Sequence, residues 1–221
     1  MTRDLNFKRR GPVSGETRSL VVLLHGYGAD GADLLGLADP LGPHLPDTAF
    51  VAPDAPEICA ASPSGYQWFP MPWIDGSSEE AAAQGLRDAA RDLDAFLDLQ
   101  LEEEGVTSSQ TAVIGFSQGT MLALYVLPRR AEAVAGIVGF SGQLLAPERL
   151  AREAISKPPV LLVHGDRDDV VPPQSLSEAA EVLSAEGFEV YTHVSRGSGH
   201  AIAPDGLSVA LAFLKDKLAR K

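Results

Sequence analysis

The feature that most limits the fold is a series of short, unbroken apolar runs, each closed by a glycine, a proline or polar residues. Leu20–His25 reads LVVLLH and runs into Gly26, and Thr48–Ala52 reads TAFVA and meets Pro53. Thr111–Phe116 (TAVIGF), Ala135–Phe140 (AGIVGF), Val160–His164 (VLLVH) and Glu189–Val194 (EVYTHV) follow. Runs of this length and content are typical of strands buried on both faces. Helical patterns separate them. In Glu79–Glu104, Leu86, Ala90, Leu93, Leu97 and Leu101 recur at three or four residues among charged ones, and Gly105 suits the C-terminal cap. Gly119–Leu127 reads as a largely apolar helix stopped by Pro128; Pro173–Glu186 and Asp205–Leu218 are amphipathic. Strand–helix alternation implies an α/β fold with a mainly parallel central sheet flanked by helices. In such sheets the ligand site lies beyond the C-terminal ends of the strands, so each loop that follows a strand matters.

The chain has 221 residues, 45% of them hydrophobic, which suits one domain, 1–221, with a sizeable core. Residues 1–18 are polar and read as an N-terminal extension with no signal-peptide pattern. A formal net charge of -12 argues against nucleic acid or an anionic membrane as the main partner. No run approaches the roughly 18 apolar residues of a membrane span, so no stable membrane insertion is expected. Cys59 is the single cysteine. It forms no intramolecular disulfide, has no ligand-spaced partner for a metal, and fits a reducing, cytoplasmic setting.

One segment breaks the rhythm. Ala55–Ser78 (APEICAASPSGYQWFPMPWIDGSS) carries both tryptophans. A loop this long is uncommon unless it has a role. Its aromatics either staple it to the domain or wall an apolar substrate pocket; the residues expected at such a wall are Trp68, Phe69, Met71 and Trp73.

The chemistry centres on Gly115-Phe116-Ser117-Gln118-Gly119, a G-x-S-x-G pattern between a strand-type and a helix-type run. Small residues flanking the serine let strand and helix approach closely, and the helix N-terminus aims N–H groups at developing negative charge. A serine hydroxyl needs a base, and the base needs an acid to orient it; in this arrangement the acid and then the histidine follow the serine along the chain. His200, in the glycine-rich RGSGH loop between the last strand and last helix, fits the base. His193 lies inside a strand pattern, and His164 ends a strand and shapes its turn. The acid belongs to HGDRDDVVP, where spacing alone leaves Asp166, Asp168 and Asp169 open. The Gly-rich loop after the first strand can supply one oxyanion N–H and Gln118 the other.

Four ordered motifs, LLHGYGADGADL, GFSQGT, HGDRDDVVP and GSGH, resemble those of the phospholipase/carboxylesterase family of α/β-hydrolases, which includes acyl-protein thioesterases and bacterial carboxylesterases. The resemblance runs from about Leu20 to the C-terminus. It implies an α/β-hydrolase fold without a separate lid domain, and a Ser117–His200–Asp168 triad with Tyr27 and Gln118 as oxyanion-hole donors. It also implies a substrate that is a small-molecule or lipid-like acyl ester or thioester, and no metal or organic cofactor. A peptidase or lactone hydrolase on the same fold is the alternative, and a non-catalytic binding protein a more distant one. A hydrophobic rim around the site would support a homodimer. Two positions depart from the family pattern: Thr120 where GFSQGG has glycine, and Ser198 where GMGH has methionine.

Overall fold

The computed structural model describes residues 2–59 and 61–219. Its strands are β1 (Phe7–Arg10), β2 (Ser19–Leu24), β3 (Thr48–Pro53), β4 (Glu57–Cys59), β5 (Ser62–Gln67), β6 (Thr111–Phe116), β7 (Gly136–Phe140), β8 (Val160–Gly165) and β9 (Val190–Ser195). Its helices are α1 (Gly31–Leu35), α2 (Ala38–Leu41), α3 (Pro72–Asp75), α4 (Glu79–Glu104), α5 (Gln118–Val126), α6 (Pro147–Glu153), α7 (Gln174–Ala185) and α8 (Pro204–Leu218). Seven strands form one sheet in the order β1-β3-β2-β6-β7-β8-β9, and β4 with β5 forms a separate hairpin. Within the large sheet only β1 runs antiparallel to its neighbour.

The unbroken apolar runs follow from burial on two faces. Leu20, Val22 and Leu24 of β2 join one core, with Leu93 and Leu97 of α4, Met121 and Leu122 of α5 and Leu183 of α7. Val21 and Leu23 point the other way, into a core with Leu34 of α1, Leu41 of α2 and Phe213 and Leu214 of α8. Alternate side chains thus serve opposite layers, and the one polar residue of β2, Ser19 at its start, is paired with the Thr48 hydroxyl at 2.8 Å.

The long helix α4 begins and ends where its sequence dictates. The Ser78 hydroxyl accepts from the Ala81 N–H at its start, and Gly105 closes it in the left-handed region at φ 66. Its buried face is turned from the expected leucine stripe. Ala89, Asp92, Phe96 and Gln100 share it with Leu93 and Leu97, while Leu86, Ala90 and Leu101 are only partly covered. Asp92 is tolerated because it accepts both the backbone N–H (2.8 Å) and Nε (2.7 Å) of Arg3.

The polar N-terminal extension needs correction. Phe7–Arg10 is an edge strand on β3, with Phe7 opposite Pro53 and Arg10 opposite Phe50. The Phe7 ring packs edge-on against Phe96 at 5.5 Å, and Arg9 forks onto Glu104 at 2.5 and 2.8 Å. An edge strand needs few apolar positions and gains from charge, so FKRR carries no buried-strand signature. Among the described residues, no helix is long and apolar enough to cross a membrane. The parallel strands bring the loops after β2, β6, β8 and β9 to one edge of the sheet, where the site is built.

Candidate active site

Ser117 joins β6 to α5 at φ 51, ψ -113, a conformation costly for any residue with a Cβ. The corner is held from both sides: the Ser117 N–H donates to the Phe140 carbonyl (2.8 Å) and its carbonyl accepts the Met121 N–H (3.1 Å). Its hydroxyl makes no capping bond to the helix, so it is not consumed as an ordinary N-cap. Gly119 explains the small-residue requirement, since a Cβ there would collide with the Leu24 carbonyl of β2.

Thr120 fits because the neighbouring strand end is glycine. A Cβ on Gly139 would lie 2.6 Å from its methyl group, and one on Gly142 2.5 Å from it. The Thr120 hydroxyl donates to the Phe140 carbonyl (2.9 Å), the same oxygen that accepts the Ser117 N–H. The departure from the family pattern thus adds a tie between elbow and β7.

Of the three carboxylates after β8, Asp168 is the one bonded to His200, with Oδ2 2.8 Å from Nδ1. Asp166 instead caps the histidine loop by accepting the Gly197 N–H (2.6 Å), and Asp169 is exposed. Oδ1 of Asp168 accepts the N–H groups of Val170 (3.0 Å) and Val171 (2.9 Å). Burial works to raise the Asp168 pKa; the His200 hydrogen bond and the two backbone donors outweigh it and hold the carboxyl below its ordinary value. Nδ1–H of His200 therefore faces an ionised acceptor, which leaves Nε2 as the basic nitrogen. The His200 ring lies on Phe116, the residue before the elbow serine, with centroids 4.9 Å apart. His164 shapes the acid's turn: Nε2 is 3.0 Å from the Val171 carbonyl and 3.2 Å from Asp168 Oδ2.

The loop expected to supply an oxyanion donor follows β2. Gly28 takes φ 80 and its N–H donates to Tyr66 of the hairpin (2.9 Å). Among the described residues, neither the Tyr27 nor the Gln118 N–H donates to a backbone carbonyl. The Tyr27 hydroxyl reaches Asp75 Oδ2 at 3.4 Å. Burial, then Cys59 and Asp75, push its pKa up, so the phenol stays protonated.

The sequence profile of the phospholipase/carboxylesterase family matches residues 12–218. The chain belongs to that family. The family chain is 46% identical to the crystal structure of esterase PE8, with a TM-score of 0.93 over 98% of this chain and 100% of that one. It is 29% identical to acyl-protein thioesterase 1 of Saccharomyces cerevisiae (91% of this chain, 94% of the relative). It is 25% identical to esterase YpfH of Escherichia coli (90% and 82%). The mostly parallel sheet and its flanking helices are those of an α/β-hydrolase.

The aromatic segment divides differently from expectation. Trp68, Phe69 and Met71 are 0%, 3% and 2% exposed and belong to the core, so they staple the loop and offer no surface to a substrate. Trp73, on α3, is 56% exposed and keeps the pocket-wall role open to it. The staple has a polar half that sequence reading missed. The Gln118 side chain accepts from the Trp68 N–H (2.9 Å) and donates to the Phe69 carbonyl (2.7 Å). The Trp68 indole N–H donates to the His25 carbonyl (2.9 Å). The only advance signal for these partners was a histidine and a glutamine set in otherwise apolar surroundings.

Proposed function

We propose that this serine hydrolase of esters or thioesters works through an acyl-enzyme formed on Ser117. His200 Nε2 takes the serine proton as Oγ attacks the acyl carbonyl, then donates it to the leaving alcohol or thiol. Water enters by the same route in reverse and releases the acid. Asp168 keeps His200 in the Nδ1–H tautomer and stabilises the imidazolium. The N–H groups of Tyr27 and Gln118 bind the tetrahedral oxyanion. Trp73 supplies apolar wall for the acyl group. The enzyme is placed in the cytoplasm, which suits its one free thiol, Cys59.

The observation that carries this reading is the Asp168–His200 bond of 2.8 Å, with the His200 ring 4.9 Å from that of Phe116, the residue before an elbow serine at φ 51. The test is Ser117→Ala on a p-nitrophenyl ester. A loss in kcat of about 10⁴-fold or more, with unchanged circular dichroism, is expected. Full turnover in that variant would rule out the nucleophile.

A further inference from the structure

We infer that His25 is a positioning residue that aims the Tyr27 N–H at the reacting carbonyl oxygen; this rests on the oxyanion role proposed above for that N–H. In a planar trans peptide the C=O and N–H groups point in opposite directions. The Gly26 carbonyl and the Tyr27 N–H belong to one such plane, so whatever holds the carbonyl aims the N–H.

His25 holds it. Nδ1 lies 2.7 Å from the Gly26 oxygen, and a carbonyl only accepts, so Nδ1 carries the proton. Nε2 receives the Ala55 N–H at 2.9 Å and must be bare. Both ring nitrogens are thus satisfied in one neutral tautomer. The second bond to the Gly26 oxygen, from the Ala29 N–H, is long at 3.3 Å.

The ring itself is fixed. His25 is 1% exposed and packs against Trp68 with centroids 5.3 Å apart. Trp68 is in turn held by the Gln118 side chain and bonds the His25 carbonyl. Gly119 of α5 abuts the Leu24 and His25 carbonyls with no room for a Cβ. His25 therefore links the two halves of the oxyanion hole. Burial lowers its pKa against the Gly26 bond and the charges of Asp54, Asp30 and Asp33, which favour the imidazolium. A second proton would sit on Nε2 facing the Ala55 N–H.

The test pairs two substitutions. His25→Gln places an acceptor near the Nε2 position and removes the Nδ1–H donor. We expect kcat to fall about 100-fold with KM within about twofold. The inhibition constant of a trifluoromethyl ketone, whose adduct carries the oxyanion, should rise in parallel with the loss in kcat. His25→Asn restores an N–H near the Nδ1 position and should bring kcat back to within about fivefold of the unmodified enzyme. Equal losses in both variants, or a loss confined to KM, would mean that His25 only fills space.

Replacing Tyr27 by its α-hydroxy acid deletes the N–H itself. Full kcat there sinks the oxyanion reading. Collapse there beside an active His25→Gln leaves that reading standing and overturns the role of His25. The unmodified enzyme gives a readout independent of any variant's folding: ¹⁵N spectra should show His25 as neutral Nδ1–H from about pH 8 to about pH 6, across the ordinary histidine range. An Nε2–H tautomer, or titration at the ordinary value of about 6.5, overturns the inference.

Discussion

Asp168 keeps its charge in a buried place because three donors serve its two oxygens: Val170 and Val171 on one, His200 on the other. That environment makes a residue-scale prediction. Asp168→Asn should lower kcat by about 10⁴-fold, because an amide no longer fixes the His200 tautomer. Asp166→Asn leaves an acceptor for the Gly197 N–H and should cost far less; steady-state kinetics of the pair decides the acid. A second residue-scale prediction concerns stability. His25 is buried and neutral, with its pKa held below the ordinary 6.5. As pH falls through about 6.5 the unfolded chain binds a proton that the folded one does not, so stability drops with falling pH and is recovered at higher pH. Melting temperatures should fall between about pH 7 and about pH 5, and His25→Asn should show a shallower slope. An unchanged slope would exclude this source.

Most strands that were legible in the sequence are buried on two sides; the edge strand β9, with most of its side chains at least partly uncovered, was read from its β-branched and aromatic residues. β2, β6, β7 and β8 announce themselves because every side chain meets one core or the other, and the chain order of serine, acid and histidine follows from the loops between them. β1 and the β4–β5 hairpin went unread because they lie at edges, where polar residues serve as well as apolar ones. The sequence left the aromatic loop open between staple and pocket wall for a related reason: composition shows that Trp68 is apolar, but its depth depends on a partner 50 residues away in sequence, Gln118. That clamp joins the start of α5 to the end of β5 and should be stabilising. Gln118→Leu would leave the Trp68 N–H and the Phe69 carbonyl buried without these partners, at about 1–3 kcal/mol for each group. Urea denaturation should show the loss as a lower midpoint at similar slope. A change under about 0.5 kcal/mol would mean that the hairpin can repack without the clamp.

At the scale of the whole molecule, the fold gathers its chemistry on one edge and surrounds it with acid. The loops at that edge carry Asp30, Asp54, Asp166 and Asp169 against Arg167 and Arg196, on a chain whose formal net charge is -12. The architecture was legible from strand order and loop chemistry, but this field was legible only as a total, because the sequence does not say which face each charge occupies. The consequence is a selectivity by charge that the proposed triad does not impose. At low ionic strength an approaching anionic acyl substrate meets a repulsive potential and a cationic one an attractive potential. For esters of matched size and leaving group, kcat/KM should therefore rank cationic above neutral above anionic. The spread should narrow steadily as salt is raised and the screening length contracts to about 8 Å near physiological strength. The effect belongs to encounter and binding, so kcat should stay level across the three substrates while kcat/KM moves. A ranking that persists undiminished at about 1 M salt, where screening acts over about 3 Å, would place the preference in contacts inside the pocket instead of in the field of the fold.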